Sequence, residues 1–432
     1  GFDVWSNSTL ENATGTNLIS SGGWVNGDNS GAVPYDTLSE SGTNLTSVIS
    51  DGSAVAYAKT NYLNMELGKL YKATIVYDLN SGQNVEWGIG GTSDGGLYHA
   101  FEQLSGDGTY TKVVECTTDA MAGTDANSAR LWIKNGEATD WDATFTVYEV
   151  TPGCVASGAL GPDGWAKEAN TDIWREHYSS NIQRNGAFYG LKVYRSGGVA
   201  TVYHAGIYSG NSDMQTKVRL AGRTITWGCW VITDAANQVR LGFNNNGGIT
   251  YSGYNAGAGL EWLEMTVATT GAGDATDYYY PLMEVVDGKY GYFSQPMLVF
   301  GSSIGSGNYT RPVGEVVWFE GYDDLTDFGA ATISSDTSIN LEAQSQGKVP
   351  KGAKAVWVSF FGQPSAVDVE AKIEPVLASD RYAIWVIAAA ATPRYASGSG
   401  WVPCDSSGDI AFNLAGGTWA NAYIRILGVE LR

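Results

Sequence analysis

Apolar and polar residues alternate one by one along many short stretches of the chain, which is the period of a β-strand with one buried face. Between residues 85 and 89, for example, Val85, Trp87 and Ile89 share one face, whereas Glu86 lies on the other. Gly, Asn, Asp and Ser residues separate these stretches and are typical of tight turns. The pattern therefore predicts strands joined by short turns, with Trp87 in a hydrophobic core.

The same pattern of strands occurs twice along the chain. Residues 68–91 align without a gap with residues 222–245, so that the apolar positions of one stretch match those of the other. Glu86 of the first copy corresponds to Arg240 of the second, and both belong to the polar face. A period of about 150 residues is far longer than the repeats of solenoids or propellers. The sequence therefore predicts two copies of one β-sandwich domain in tandem.

The region after residue 311 does not match the repeat, although it also contains strand-like runs. These runs occupy residues 316–319, 355–360, 383–387 and 423–427. We predict an all-β fold of tandem β-sandwich (jelly-roll) domains, with two duplicated copies and a distinct C-terminal β domain. The predicted boundaries are 1–153, 154–311 and 312–432. The apolar run from Tyr382 to Ala391 is predicted to form a buried strand.

Composition and charge exclude several classes of partner. Charged residues make up 16% of the chain, and 25 basic against 45 acidic residues give a formal net charge of −20. Nucleic acids and anionic membranes are bound through clusters of basic residues, and the sequence contains none, so neither is an expected partner. No segment has the ~20 apolar residues of a membrane span. Because the chain begins at Gly1 without a methionine or a signal peptide, we expect a trimmed product.

Cysteine and histidine residues form no recognisable metal motif. The cysteines are too widely spaced for a zinc knuckle, and we expect them to be buried free thiols, as in proteins that fold in a reducing cytoplasm. The histidines likewise lack the spacing of metal ligands. These residues are Cys116, Cys154, Cys229, Cys404, His99, His177 and His204. The sequence thus leaves the presence of a metal site unknown.

Catalytic motifs are also missing from the sequence. No Gly-x-Ser-x-Gly elbow and no phosphate-binding loop is present. Glycoside hydrolysis needs two suitably placed carboxylates, and the adjacent residues Asp323 and Asp324, or Asp140 and Asp142, are interpreted as turn residues instead. The chain is therefore predicted not to be an enzyme and to need no organic cofactor.

Aromatic residues at polar or loop-like positions are the remaining functional signal. Trp132 alternates with Arg130 and Lys134 and is assigned to a polar face. Sugar rings present an apolar C–H face that stacks on such aromatics. The candidate saccharide-binding residues are Trp132, Trp141, Tyr251, Tyr254 and Tyr279. The alternative is that they pack under loops or in subunit contacts.

Several motifs resemble known proteins when they are taken in order. The run Gly1–Trp5 resembles the opening strand of jelly-roll modules in bacteriophage fibre and tail proteins, and the segment 163–165 is similar to another element of that family. The stretches 68–71 and 295–301 resemble carbohydrate-binding-module jelly rolls. The resemblance covers roughly residues 1–310 and implies virion proteins with carbohydrate-binding jelly rolls. It also implies that a bound calcium ion is possible and that the chain forms a homotrimer.

The function favoured by the sequence is a virion fibre or spike component, on a head or tail fibre, for host adhesion. It would display saccharide-binding or receptor-binding domains to a cell-surface glycan or host receptor. Its other expected partners are further virion proteins and copies of itself, and its expected location is the virion surface after synthesis in the host cytoplasm. Two alternatives stay open: the non-catalytic carbohydrate-binding region of a secreted polysaccharide-degrading enzyme, and a purely structural virion decoration protein.

Overall fold

The structure is a computed structural model of the 432-residue chain. It describes residues 2–3, 5, 8–19, 23–27, 37–41, 43–48, 56–82, 85–90, 98–104, 106–117, 129–135, 139–155, 161–162, 164–176, 189–197, 201–204, 219–271, 279–306, 314–376, 383–388 and 395–431. Nearly all of its regular elements are β-strands, in agreement with the predicted all-β class. No helix in the described ranges is long and apolar enough to cross a membrane.

The first copy of the repeat is a two-sheet sandwich. Its strands are β1 (Thr9–Asn17), β2 (Trp24–Asn26), β3 (Thr37–Ser41), β4 (Asn44–Val48), β5 (Ala56–Thr60), β6 (Leu70–Ser81), β7 (Val85–Gly90), β8 (Tyr98–Leu104), β9 (Gly108–Glu115), β10 (Arg130–Asn135) and β11 (Asp140–Cys154). One sheet has the strand order β2-β5-β10-β7-β8, and the other has the order β9-β6-β11-β4-β3, with β1 also paired to β11. Side chains from both sheets meet in one apolar core that includes Trp87, Ile133 and Phe145.

The second copy repeats the arrangement of β2–β11 in ten strands, whereas β1 belongs to the first copy alone among the described strands. Its strands are β12 (Trp165–Lys167), β13 (Thr171–Glu176), β14 (Gly190–Arg195), β15 (Thr201–His204), β16 (Thr224–Thr233), β17 (Val239–Asn245), β18 (Gly248–Tyr254), β19 (Gly259–Ala268), β20 (Tyr279–Val285) and β21 (Tyr290–Phe300). The sheet orders are β12-β15-β20-β17-β18 and β19-β16-β21-β14-β13. Both orders match those of the first copy position by position, so the predicted duplication is confirmed.

The C-terminal domain has a different arrangement. Its elements are β22 (Val316–Ile333), β23 (Thr337–Ile339), a short helix α1 (Leu341–Gln344), β24 (Ala355–Pro364), β25 (Glu370–Pro375), β26 (Ile384–Ile387), β27 (Ala396–Pro403), β28 (Ile410–Ala415) and β29 (Trp419–Glu430). The two sheets have the orders β22-β29-β24-β27 and β23-β28-β25-β26. A single core between them includes Val356, Phe360 and Phe412.

The alternating positions in the repeat lie where the sequence places them. Val85, Trp87 and Ile89 are buried in the first core, and their counterparts at positions 239, 241 and 243 are buried in the second. Cys116, Cys154 and Cys229 are buried free thiols, as predicted, whereas Cys404 is half-buried. Period-2 alternation therefore identifies the core face of each strand correctly.

The described residues of the N-terminal run do not form the predicted opening strand of the first jelly roll. Phe2, Asp3 and Trp5 have no strand conformation, and the side chains of Phe2 and Trp5 are buried in the core of the second copy. The Trp5 indole N–H donates to the Phe2 carbonyl oxygen at 2.7 Å, and the Phe2 ring lies 5.2 Å from that of Trp165. The aromatic side chains thus fix this segment by packing.

Contacts along the chain define two compact units, one of residues 12–151 and one that combines residues 1–11 with 152–432. The domain boundaries proposed from the sequence at residues 153 and 311 stay predictions. The sequence predicts a buried strand at 382–391, and the described part forms a strand, β26, that is buried on one face only. In β26, Ile384 and Val386 are buried in the core, whereas Trp385 and Ile387 are exposed because alternate residues of the strand point to the outer face of the sheet.

Candidate functional site

The five aromatic residues singled out in the sequence do not form one site. Trp132 lies on β10 between the core residues Leu131 and Ile133, so it points away from the core, as predicted. Its side chain is nevertheless only 1% exposed. Its neighbours across the sheet are Gly88 and the buried Lys59. The predicted exposure of Trp132 is therefore wrong, because a residue that faces away from the core can still be covered by neighbouring side chains.

Trp141 and Tyr279 are also buried, and both point into a core. Trp141 lies an even number of residues from the buried Phe145 and Val147 on β11, so it points to the same face of the strand. Its ring lies 6.2 Å from that of Tyr77. Tyr279 points to the same face of β20 as Met283, towards the core of the second copy. Their predicted exposure is wrong because the strands extend through the Asp-rich and Tyr-rich stretches, so that alternation continues where a loop was expected. Whether any of the five residues contacts a saccharide stays a prediction.

Tyr251 and Tyr254, by contrast, lie on the same outer face. Residues three apart on a regular strand point to opposite faces, but the pairing of β17 with β18 shifts between Arg240 and Gly242. Arg240 is paired with Tyr254, and Gly242 is paired with Tyr251, so that β18 has one extra residue at a β-bulge. The bulge brings both tyrosines to the face of the sheet that points away from the core.

This surface, which we call the tyrosine face, is built by β15, β20, β17 and β18. Its residues are Tyr203, Arg240, Gly242, Asn244, Tyr251, Tyr254, Tyr280, Leu282 and Glu284. One row across the strands contains Tyr203, Leu282, Gly242 and Tyr251, and the next contains Glu284, Arg240 and Tyr254. The tyrosine rings are half-buried or, in Tyr254, 36% exposed.

An ion pair lies beneath the two tyrosines of β18. One terminal nitrogen of Arg240 donates to both carboxylate oxygens of Glu284, at 2.9 and 3.0 Å. The guanidinium carbon lies 3.7 Å from the Tyr251 ring centroid and 4.7 Å from that of Tyr254. Planar guanidinium groups stack well on aromatic faces. The pair therefore fixes the orientation of both rings before any ligand binds.

Two further features shape the tyrosine face. A Cβ atom at Gly242 would lie 2.5 Å from a methyl carbon of Leu282 and 3.0 Å from the Tyr251 ring, so glycine is needed for these side chains to close over β17. On the far side, the Tyr203 and Tyr280 rings lie 5.6 Å apart, and the Asn244 side-chain amide donates to the Tyr280 hydroxyl at 3.0 Å. The result is an aromatic surface with polar groups between the rings.

The end of β18 is held by a fully bonded buried asparagine. Asn255 follows Tyr254, and its carbonyl oxygen accepts from the backbone N–H groups of residues 238 and 239, at 2.7 and 2.9 Å. Its amide nitrogen donates to the Thr233 hydroxyl at 2.8 Å and to two backbone carbonyls. Buried polar groups stabilise a structure when their hydrogen bonds are complete. Asn255 thereby fixes the backbone that carries Tyr254.

The electrostatics of the tyrosine face favour a neutral phenol at Tyr251. Burial raises the pKa of Tyr251 above its ordinary value, and the nearby Glu284 carboxylate raises it further. The phenol is therefore protonated at neutral pH and can donate a hydrogen bond. The face offers aromatic rings, a guanidinium, an amide and hydroxyl groups, a combination of apolar and polar groups that is typical of ligand-binding surfaces.

The equivalent surface of the first copy carries the same ion pair with its charges reversed. By register, Glu86 corresponds to Arg240 and Lys134 to Glu284, and the Lys134 ammonium lies 2.8 Å from the Glu86 carboxylate. Trp132 occupies the place of Leu282. The cross-strand ion pair is thus common to both copies.

Sequence reasoning identified Arg240 as a surface residue but missed Tyr203, Tyr280 and Glu284. The signal for Tyr280 was present, since it alternates with the apolar residue Tyr279 and therefore belongs to the opposite face. No group of three or more His, Cys, Asp or Glu residues in the described ranges is placed to hold a metal ion. His177 lies outside those ranges, and the possible calcium ion stays a prediction.

The carboxylates examined in the sequence are strand residues, which corrects their interpretation as turns. Asp323 and Asp324 lie on β22, where Asp323 is paired with Lys348 at 2.5 Å and Asp324 with Arg425 at 2.6 Å. Asp140 and Asp142 lie on β11. Asp323 and Asp324 each form an ion pair with a different basic side chain, so they do not form the paired carboxylates of glycoside hydrolases.

No known protein family and no curated protein matches the sequence. Among solved structures, the chain is similar to the tandem CBM22-1 and CBM22-2 domains of Xyn10C from Paenibacillus barcinonensis, with 11% identity, coverage of 69% of this chain and 96% of that chain, and a TM-score of 0.24. It is also similar to TmCBM61 in complex with β-1,4-galactotriose, with 12% identity, coverage of 32% and 90%, and a TM-score of 0.22.

A third similar structure is that of Sulfolobus Turreted Icosahedral Virus, with 9% identity, coverage of 90% of this chain and 91% of that chain, and a TM-score of 0.15. The neighbours thus include carbohydrate-binding modules built as β-sandwiches. At TM-scores this low, none of these similarities assigns a ligand to the present chain.

Proposed function

We propose that the chain is a non-catalytic saccharide-binding protein and that the tyrosine face of the second jelly roll is its binding surface. The observation that carries this proposal is the arrangement of Tyr251 and Tyr254 on one face, stacked against the Arg240–Glu284 pair. Aromatic rings that are already oriented lose little conformational freedom when a ligand binds. Polar groups between them can bond the hydroxyl groups of a sugar, directly or through water.

We expect Tyr251→Ala and Tyr254→Ala each to weaken saccharide binding about tenfold, since a lost aromatic contact costs up to about 1.4 kcal/mol. The measurement is titration of the purified full chain with soluble neutral polysaccharides, beginning with β-1,4-xylan and β-1,4-galactan and extended by a glycan array. The polysaccharide recovered from the titration should keep its length, because the proposed function includes no hydrolysis.

Phe300 provides the control for the two tyrosine variants. It is an exposed aromatic residue of the same jelly roll, at the end of β21 in the other sheet. Phe300→Ala should leave affinity unchanged, while Tyr254→Phe should retain most of it because the ring remains. Equal binding by wild type, Tyr251→Ala and Tyr254→Ala would contradict the proposed surface, and absence of binding across the array would favour a structural decoration protein.

Two biological settings for this activity are proposed. One is the ancillary binding region of a secreted polysaccharide-degrading enzyme, which acts outside the cell. The other is a virion fibre or spike that is made in the host cytoplasm and displayed on the particle for receptor binding. The resemblance to phage fibres rests partly on the Gly1–Trp5 run, and in the structure Phe2 and Trp5 pack in the second core instead of opening the first jelly roll. Sequencing the complete gene product distinguishes the settings, because an attachment segment indicates a virion and a signal peptide indicates a secreted enzyme.

The fibre setting also includes a prediction about assembly. A homotrimer would gain avidity from three linked sites, and light scattering at micromolar concentration should then give about three times the 45.9 kDa mass of one chain. A mass near that of a single chain would contradict trimer formation by these residues. The buried apolar residues of β24, namely Val356, Val358 and Phe360, belong to the core of the C-terminal domain itself and therefore give no support to a contact between subunits.

A further inference from the structure

Besides the tyrosine face, a second aromatic surface covers the outer side of the sheet β22-β29-β24-β27 in the C-terminal domain. We call it the tryptophan face, and its residues are Trp318, Tyr322, Asp324, Trp357, Phe361, Trp401, Tyr423, Arg425 and Gly428. The alternate residues Val356, Val358 and Phe360 of β24 are buried in the core. Trp318 is 55% exposed, and Tyr322 is exposed as well, so this surface is open to solvent.

Three tryptophans form one end of the tryptophan face. Trp318, Trp357 and Trp401 lie in one row across the sheet, and their ring centroids are 5.5–5.9 Å apart. Gly428 lies in the same row between Trp318 and Trp357, and a Cβ atom there would be 2.7 Å from the Trp318 ring. Glycine thus leaves room for the indole over the middle strand, as Gly242 does for Tyr251 on the tyrosine face.

A caged arginine lies beside the tryptophans. The Nε atom of Arg425 donates to Asp324 at 2.6 Å, and the guanidinium carbon lies 4.1 Å from the Tyr322 ring and 4.6 Å from the Phe361 ring. Phe361 is in turn stacked on Tyr423 at 4.5 Å. The surface therefore repeats the design of the tyrosine face, in which a cross-strand arginine–carboxylate pair supports aromatic rings.

We infer that the tryptophan face is a second saccharide-binding site, selective for neutral saccharide chains. Two observations favour such a ligand over a second copy of this chain and over a polyanion, respectively. The Arg425–Asp324 pair is central to the face, and a dry protein interface would have to desolvate it, whereas a hydrated sugar leaves it bonded. The chain also has a net charge of −20, which disfavours a polyanionic ligand and favours a neutral one.

This inference rests on the proposed saccharide-binding function but assigns it to separate residues. Trp318→Ala should weaken binding of the full chain to at least one neutral polysaccharide about tenfold, the loss expected for one aromatic contact. The panel is β-1,4-xylan, β-1,4-galactan, β-glucan and galactomannan. Trp385→Ala is the matched control, since Trp385 is 53% exposed on β26, in the other sheet of the same domain. It should leave affinity unchanged, and Trp318→Phe should restore part of the binding.

The same titrations in a Tyr251→Ala/Tyr254→Ala background separate the two sites. Residual binding that Trp318→Ala removes supports the inference, even if the tyrosine variants by themselves change nothing and the tyrosine-face proposal fails. If the tyrosine variants abolish all binding and Trp318→Ala has no effect in the wild type, the inference is overturned while the proposed function stands. The inference is equally overturned if no polysaccharide binds, or if Trp318→Ala changes only the mass measured by light scattering, which would identify the face as a contact between copies.

Discussion

Glu342→Ala is expected to lower the free energy of unfolding of the unit that contains residues 152–432 by about 3–5 kcal/mol, because it leaves a buried arginine without its counter-ion. The Arg175 and Glu342 side chains are 1% and 2% exposed, and a terminal nitrogen of Arg175 lies 2.6 Å from the Glu342 carboxylate. The other terminal nitrogen donates to the Gly347 carbonyl at 2.8 Å, and the Tyr189 hydroxyl donates to the same carboxylate oxygen.

This cluster connects the second jelly roll to the C-terminal domain. Arg175 lies on β13, whereas Glu342 lies on α1. The Tyr189 ring is 3.9 Å from the guanidinium carbon, and the Tyr189 backbone N–H donates to the Asp3 carboxylate at 3.0 Å. The ion pair and its hydrogen bonds therefore hold the second jelly roll, the C-terminal domain and the N-terminal segment together. Because hydrogen bonds require a defined geometry, these buried contacts also fix the orientation of the three parts.

A double variant that replaces both charges tests this interpretation by chemical denaturation. Arg175→Met/Glu342→Leu should recover most of the stability lost in Glu342→Ala, since apolar residues of similar volume often replace a buried ion pair at little cost. Glu370→Ala breaks the half-exposed pair with Lys372 in the C-terminal domain and should cost less than about 1 kcal/mol. A loss of similar size in Glu342→Ala and Glu370→Ala would show that the buried pair has no special role.

Trp5→Ala should destabilise the core of the second jelly roll by about 3–5 kcal/mol, the usual cost of removing a large buried aromatic side chain. Trp5 is fully buried among residues of that core, although it is separated from them in sequence by the whole first copy. Hydrogen exchange resolved by peptide should show faster exchange in β13, β14 and β16, with the protection of β6 and β11 up to residue 151 retained.

Trp87→Ala is the matched variant for Trp5→Ala. Trp87 is equally buried, but it belongs to the core of the first copy. Its replacement should accelerate exchange in β6 and β7 and leave β16 protected. If Trp5→Ala instead loosened the first copy, the N-terminal segment would belong to the first jelly roll, as the sequence resemblance implies.

The sequence by itself determined the fold class, the duplication and the core face of most strands. These features depend on alternation within single strands, which follows from the pleat of the backbone and needs no knowledge of the neighbours. Trp87, Leu241 and Cys229 were placed correctly on this basis. The same rule, applied beyond the expected loops, would have placed Trp141 and Tyr279 in the cores.

Only the tertiary structure decided the composition of the candidate sites. Tyr251 and Tyr254 share a face because of a β-bulge. Its extra residue shifts the alternation of faces by one position, and a prediction from regular alternation therefore places one of the two tyrosines on the wrong face. Trp132 faces away from the core but is covered by other side chains, and the tryptophan row forms from residues on three strands that are distant in sequence. Exposure and cross-strand neighbours depend on the register between strands, and register arises from the packing of the whole sheet rather than from any one segment.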